Sequence, residues 1–265
     1  GGMALVDNWA ASGRNKVDKY QYNRNYHAGN AVLRYKHTWN DAHNFSVFAG
    51  MNIEYKEVDY VNAEIRDLLD QNKPAIALTI GDKFFYGRHT SWAIMGFFAR
   101  ANYSYKNRYL IELNGRFDGS SRFPTDQQWG FFPSGSVGWR ISEEDFFASA
   151  KNVVNNLKVR ASLGSLGNQN VDNYAYMRLV NLTKFKSFYF GDTTTSAPYS
   201  NLSAPNASDL TWETSYQYNL GVDLGMFEDR LSFTGELYMR NTKGMLTQSI
   251  TLPSVYGASE PKTNS

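Results

Sequence analysis

Alternation with a period of two constrains this chain more than any other feature. Between residues 45 and 55, Phe45, Val47, Ala49, Met51, Ile53 and Tyr55 hold the odd positions, while Ser46, Gly50, Asn52 and Glu54, with Phe48, hold the even ones. A helix returns to the same face every 3.6 residues and would mix these two sets, whereas a strand separates them. Just upstream, Ala31, Leu33, Tyr35 and Trp39 alternate with Asn30, Arg34, Lys36 and Thr38. The polar stretch Asn40–Asn44 lies between, which makes the pair a hairpin.

The same pattern recurs along the chain. Met95, Phe97, Ala99, Ala101, Tyr103 and Tyr105 oppose Arg100, Asn102 and Ser104, and Tyr109, Ile111, Leu113 and Phe117 oppose Glu112, Asn114, Arg116 and Asp118. Phe131, Val137 and Trp139 form a further apolar row, followed by Leu157, Val159, Ala161 and Leu163. The clearest run is Trp212–Leu224, and Leu231, Phe233, Leu237 and Met239 follow it. Eight strands are legible, with two weaker candidates at Ala75–Tyr86 and Tyr174–Phe190. The fold class is all-β and antiparallel.

Composition narrows the environment. Eighteen Tyr, seventeen Phe and six Trp accompany 20% charged residues, so the rings must sit on strands with two differently solvated faces. β-Sheet enzymes, lectins and membrane barrels all meet that condition. A net charge of +2 gives no basic field for nucleic acid, and the absence of Cys excludes a disulfide scaffold and thiol chemistry. The longest apolar runs, Ala75–Ile80 and Trp92–Ala99, fall far below the roughly 20 residues of a membrane helix. Spanning by strands stays open, because a barrel hides its hydrophobicity in alternate residues. The start at Gly1-Gly2-Met3 carries no signal peptide, and no closing strand follows Ser254, so both ends read as cuts in a longer protein.

Two regularities favour a membrane barrel over a soluble sandwich. Connections at 40–44, 106–108 and 226–230 are tight, whereas those at 57–91, 119–130 and 165–211 are long, matching the short periplasmic turns and long outer loops of bacterial barrels. The one long connection on the short side, Ile141–Asn156, reads as an N-capped helix through Ser142-Glu143-Glu144-Asp145. In addition, Trp39, Phe45, Tyr105, Tyr109, Trp139 and Phe227 cluster beside the tight turns, as an interfacial aromatic girdle requires. A register slip of one residue would turn Asn52 and Glu54 towards lipid, so orientation is strongly fixed. Long charged side chains on the other face need a lumen wider than eight strands would enclose.

Between Gly115 and Phe147 the chain carries GRFDGSSRF, then WGFFPS at Trp129–Ser134, GWR at Gly138–Arg140 and EEDFF at Glu143–Phe147. LKVRAS at Leu157–Ser162, GSLGNQ at Gly164–Gln169 and the runs Leu210–Leu224 and Leu237–Pro253 follow in order. This succession resembles the SusC/RagA family of TonB-dependent outer-membrane transporters. The resemblance implies a 22-stranded barrel holding an N-terminal plug, with this chain a middle-to-late wall segment that lacks the plug domain, the TonB box and the C-terminal strands. It further implies localisation in the bacterial outer membrane, in contact with lipid. The implied partners are a SusD-like surface lipoprotein, TonB acting through the missing plug, and an oligosaccharide or peptide cargo. A passive porin and a soluble β-sandwich carbohydrate-binding module are the alternatives.

Neither an enzyme active site nor a cofactor or metal site is expected. Of His27, His37, His43 and His89, His37 and His43 flank a hairpin turn but no carboxylate at ligand spacing completes a metal site, so a surface role is expected, and Gly164–Gly167 lacks the Lys and helix of a phosphate loop. Asp118 and Arg122, with Trp129 and Tyr189 on long connections, suit sugar hydroxyls and ring faces and are the candidate substrate or loop contacts; Tyr199 is a further ring of this kind. The plainer reading of Asp118 and Arg122 is a pair bracing a loop, with Gly119 supplying a tight turn.

Overall fold

A computed structural model describes residues 2–6, 16–70, 75–177, 180–183, 199–202, 210–248 and 262–264. Its main element is a nine-stranded antiparallel sheet, built from β1 (Gly2–Val6), β2 (Lys16–Trp39), β3 (His43–Arg66), β4 (Lys83–Tyr105), β5 (Tyr109–Ser120), β6 (Trp129–Arg140) and β7 (Val154–Asn168). After β8 (Val180–Thr183) and β9 (Tyr199–Leu202), which pair with each other, β10 (Glu213–Met226) and β11 (Leu231–Lys243) complete it. A last small ladder joins β12 (Leu246–Gln248) to β13 (Lys262–Asn264). The spatial order is β1-β2-β3-β4-β5-β6-β7-β10-β11, and among the described residues the end strands β1 and β11 do not pair with each other.

All eight strands expected from the alternation are present. Three run further than expected: β2 starts at Lys16, β3 continues to Arg66 and β4 starts at Lys83, so most of the supposed loop 57–91 is strand. Beyond Tyr55 the odd-numbered row becomes Glu57 and Asp59 while Val58 and Tyr60 take the even positions, so the apolar row changes face before resuming at Val61, Ala63 and Ile65, and the strand runs on through the break. The weak candidate at Ala75–Tyr86 resolves into a 3-10 turn at Ile76–Leu78 and the beginning of β4. The other begins as turns at 173–176, contributes β8, and otherwise falls outside the described residues.

The chain divides into two compact units. The first comprises Gly1–Ala28 and Glu54–Ala93. Val17 and Ile65 are buried in it, and Glu64 accepts from Lys16 at 3.1 Å and Arg66 at 2.9 Å while Arg66 lies over the Phe84 ring. The second comprises Gly29–Ile53 and Ile94–Ser265 and contains the rest of the sheet.

Tight turns explain the register of the second unit. Asn40 and Asn107, with Asp41 and Lys106, adopt positive φ, and Ala42 N and Arg108 N donate back to Trp39 O and Tyr105 O. These are type I′ turns, whose twist matches that of the flanking strands. The register Tyr105↔Tyr109 then places Ala101 opposite Leu113, Leu113 opposite Gly135, and Gly135 opposite Leu163. Apolar residues therefore share one face, and that face is open: Leu33 and Leu237 are each 75% exposed, Leu113 61%. In water such a surface would be a severe liability, whereas lipid is its natural solvent. The girdle rings meet at the tight-turn end, with Trp39 6.1 Å from Phe45 and Tyr105 6.4 Å from Tyr109.

The segment after β6 departs from expectation. It forms two short 3-10 helices, Ile141–Glu143 and Asp145–Ala150, and neither has a side-chain cap. Glu144 is drawn elsewhere: it accepts from Trp139 Nε1 at 2.9 Å and from Arg108 at 3.1 Å, while Arg108 also reaches Asp145 at 2.8 Å. These bonds tie the connection to the β4–β5 turn, and Arg140 N donating to Arg108 O at 2.8 Å adds a backbone link.

Candidate functional site

The other face of the second unit carries the chemistry. Neighbouring strands align Asn102, Glu112, Ser136, Ser162 and Asn219 in one cross-strand row. Adjacent rows hold Arg100, Asn114, Ser134 and Gln217 on one side and Gly138, Arg160 and Glu236 on the other. Arg160 reaches Asp223 at 3.4 Å and Glu236 at 3.2 Å, crossing above Gly221, where any Cβ would meet its guanidinium at 2.8 Å. Arg100 Nε donates to Asn114 at 2.6 Å, and Asn114 donates onward to Glu112 at 2.9 Å. Asn219 donates to Ser162 at 3.2 Å and Arg240 to Ser215 at 3.1 Å. Paired and half-solvated charges of this sort contribute little net stability, so the face is better understood as a prepared polar wall. A basin of about 780 Å³ opens on it, lined by Lys36, Asn102, Glu112, Ser136, Lys158 and Arg160 among others.

Phe48 and Phe98 break the polar pattern. Their rings stack at 5.4 Å, and the Arg34 and Arg116 guanidiniums lie over Phe48 and Phe98, each at 5.5 Å. Phe98 can lie flat because Gly50 leaves space beneath it, where a Cβ would stand 2.8 Å from its ring. The even parity of Phe48 and Phe98, among positions otherwise held by polar residues, is the sequence signal of this row.

At the far end of β5 the residues expected to pair do not. Asp118 is bound by Arg116, two residues away on the same strand face, at 2.8 and 3.1 Å. Arg116 also donates to Asn52 at 3.3 Å. The Arg122 guanidinium instead points Nη1 at the Gln169 and Val171 carbonyls, each 3.4 Å away, and burial holds it below the usual arginine range. Gly119 is not a turn residue; it sits within β5, directly opposite Trp129, whose ring occupies the space a side chain would fill. Trp129 stacks on Phe117 at 4.8 Å with Phe97 at 6.3 Å, all on the apolar face. Tyr189 lies outside the described residues. Tyr199 opens β9.

Behind these residues a small core anchors the loops. Phe123 and Leu210 are fully buried with Phe132, Val171 and Trp212. Trp212 meets Phe123 at 5.2 Å and Phe132 at 5.3 Å, and its Nε1 donates to the Gln128 carbonyl at 2.9 Å. Alternation puts Trp212 at the head of the outward row of 212–224, but β10 begins at Glu213 and Trp212 turns into this core; the other members come from β6 and two separate connections and carry no periodic signal.

The histidines disperse. His37 meets Trp39 edge-on at 4.5 Å, His43 Nδ1 lies 2.8 Å from the Tyr103 hydroxyl, and His27 stacks on Tyr55. In the first unit, however, the fold gathers His89, Glu57 and Asp59, with ligand atoms all within 4.8 Å of one another. Sequence spacing does not show this set, because His89 comes from the neighbouring strand. All three are at least partly open to solvent, and His89 already pairs with Asp59 at 2.6 Å.

Comparison with known proteins places these features in context. Residues 4–264 match the family model described as TonB dependent receptor-like, beta-barrel. TonB-dependent receptor P39 of Formosa agariphila is 31% identical over 98% of this chain, and TonB-dependent receptor SusC of Bacteroides thetaiotaomicron is 39% identical over 60% of it. The chain spans about a quarter of the length of the first and 16% of the second. A solved structure of the RagAB peptide transporter superposes with a TM-score of 0.84 at 22% identity, covering 97% of this chain and 28% of that one.

Proposed function

Since the chain belongs to the TonB-dependent receptor-like β-barrel family, on its SusC/RagA side, we propose that it forms wall and lumen surface of a bacterial outer-membrane importer. The cargo is an oligosaccharide or a peptide. A SusD-like surface lipoprotein covers the loops, and TonB acts through a plug encoded outside these residues. The observation carrying this reading is the two-faced sheet: Leu33, Leu113, Leu163, Leu220 and Leu237 stand open on one side while the ion-paired lattice around Arg160 and Arg116 occupies the other. A soluble sandwich would bury the first face.

Within this assignment, Trp129, Phe117 and Phe97 form a second girdle at the loop end, opposite the one at Tyr105 and Tyr109. Asp118 and Arg122 act as loop contacts that hold the rim, Asp118 through Arg116 and Arg122 through the 169–171 backbone. The reaction class is transport, and no side chain of the described face is assigned a catalytic role.

The test is fractionation and uptake with the full-length gene product. It is expected in the outer-membrane fraction, extractable only with detergent, with uptake lost when tonB is deleted. Recovery in the soluble fraction would overturn the barrel reading, and uptake persisting without TonB would replace the energised importer with a passive pore.

A further inference from the structure

We infer that the wall formed by β2–β5 selects cargo bearing negative charge, and that its ligand is an acidic oligosaccharide carrying carboxylate or sulfate groups. This rests on the importer reading above and narrows its substrate class. The basis is the cross-strand row Arg34, Phe48, Phe98 and Arg116, one residue from each of four successive strands.

Three features of the row exceed what a wall needs. First, its charge is only half compensated. Asp118 is committed to Arg116 at 2.8 Å, and Glu112 lies 3.9 Å from Arg100. Among the described residues, neither Arg34 nor Lys36 takes part in an ion pair, and both are exposed on the same face. Four cations, Arg34, Lys36, Arg100 and Arg116, thus face two carboxylates that are already occupied. Second, the arrangement is pre-organised. Each guanidinium is held over a ring, and Gly50 leaves the space that lets Phe98 lie flat. Arg116 spends its Nε and Nη2 on Asp118, so it is Arg34, fixed over Phe48, that presents its fork to a planar carboxylate or a sulfate at little entropic cost. Third, the surroundings suit a polyol. Asn102, Asn114, Ser134 and Ser136 line the adjoining hollows of about 780 and 450 Å³. Neighbouring strands are about 4.8 Å apart, so the row spans roughly 14 Å, which is the reach of several sugar units. Amide and hydroxyl side chains bond sugar hydroxyls, and flat rings accept the apolar face of a pyranose.

The test measures binding to the full-length protein in detergent by titration calorimetry. The probes are hexagalacturonate for carboxylate, a carrageenan hexasaccharide for sulfate, maltohexaose as the neutral glycan and hexaglutamate as an acidic peptide. Expected are binding of at least one acidic glycan well above maltohexaose, weakening with added salt, and loss of roughly tenfold or more in affinity in the double variant Arg34→Gln/Lys36→Gln. Those two side chains hold no ion pair, so the variant should insert and melt like the parent. Arg116→Gln, which also releases Asp118, provides the second, stronger reading.

Equal binding of maltohexaose, or indifference of the acidic glycans to Arg34→Gln/Lys36→Gln, would overturn the proposal. So would binding of hexaglutamate alone, or of none of the four. TonB-dependent uptake of a neutral glycan by the same protein would refute the charge preference while leaving the importer intact; failure to reach the outer membrane would sink both.

Discussion

Leu113 offers the sharpest test of which face meets lipid. It lies four residues into β5 from Tyr109, the girdle ring at the tight turn, and is 61% exposed on the apolar side. Four residues advance about 13 Å along a strand, and a tilt near 40° reduces that to roughly 10 Å across the membrane. Against an apolar band about 25 Å tall, Leu113 therefore sits close to the midplane. Leu113→Arg should cost about 2–4 kcal/mol, a shift of roughly 30- to 900-fold in the folding equilibrium. Tyr109→Arg, at the interface, should cost about 0–1 kcal/mol by the same depth dependence. Ser136→Arg supplies the control. It sits at nearly the same depth, opposite Glu112 in register, but its side chain enters the polar basin. That variant should stay within about 1 kcal/mol of the parent. Urea unfolding of the full-length protein in phospholipid vesicles, followed by tryptophan fluorescence, reads all three. Equal destabilisation by Leu113→Arg and Ser136→Arg, or a larger effect at Ser136, would refute the assignment of faces.

Other predictions address the two ends of the sheet. Trp212→Ala removes the ring joining Phe123 to Phe132 and strips the Gln128 carbonyl of its donor, so a loss of about 3–5 kcal/mol is expected. Limited proteolysis should then cut the 121–128 connection much faster than in the parent; unchanged cleavage would contradict the role of this core. At the tight-turn end, hydrogen bonds from Trp139 and then Tyr109, with the Arg108 charge behind them, hold the Glu144 carboxyl below the ordinary carboxylate range, and Arg108 does the same to Asp145. Depressed folded-state values mean that this contribution is fully present above about pH 4–5 and fades as pH falls through the lowered values. Protection of Arg140 N, taken relative to an unstructured amide at the same pH, should hold at pH 5 and fall only well below pH 4, whereas in Glu144→Gln it should be low at both. Gly221→Leu should push Arg160 off Asp223 and Glu236, and added salt should then affect unfolding less than in the parent. Finally, the 265-residue chain expressed alone should aggregate or require detergent, because both sheet edges and the apolar face are open. A soluble monomer melting cooperatively would contradict this.

What the sequence discloses is set by contrast between faces. Where one side meets lipid and the other water, as in 45–55, 109–118 and 212–224, alternation is sharp and every strand is legible. Where the apolar residues change parity, as at Val58 and Tyr60 before the row resumes at Val61, Ala63 and Ile65, the strand continues but the period is interrupted, and strand reads as loop. Pairing between neighbours is the second blind spot. The Asp118–Arg116 contact was accessible in principle, since residues two apart share a strand face, whereas the turn after Ser120, with Phe123 N donating to Ser120 O, carries Arg122 to the Gln169 and Val171 carbonyls. Trp129 lies over Gly119 because β5 and β6 meet in that register. The register depends on how 121–128 folds, through Phe123 and Trp212, and so on contacts far apart in sequence. The same holds for Glu57, Asp59 and His89, which only strand pairing gathers.

Strand order has an evolutionary consequence. Within the main sheet each strand lies beside its predecessor in sequence, with one exception: β7 pairs with β10, and residues 169–212 intervene. The β7–β10 ladder runs from Asn168↔Glu213 without reference to the length of that excursion. Doubling the length of a connection costs only about 0.6 kcal/mol in closure entropy. A lineage could lengthen, shorten or rewrite this stretch and keep the wall in register. Diversification of what is recognised at the cell surface is thereby uncoupled from the architecture that crosses the membrane.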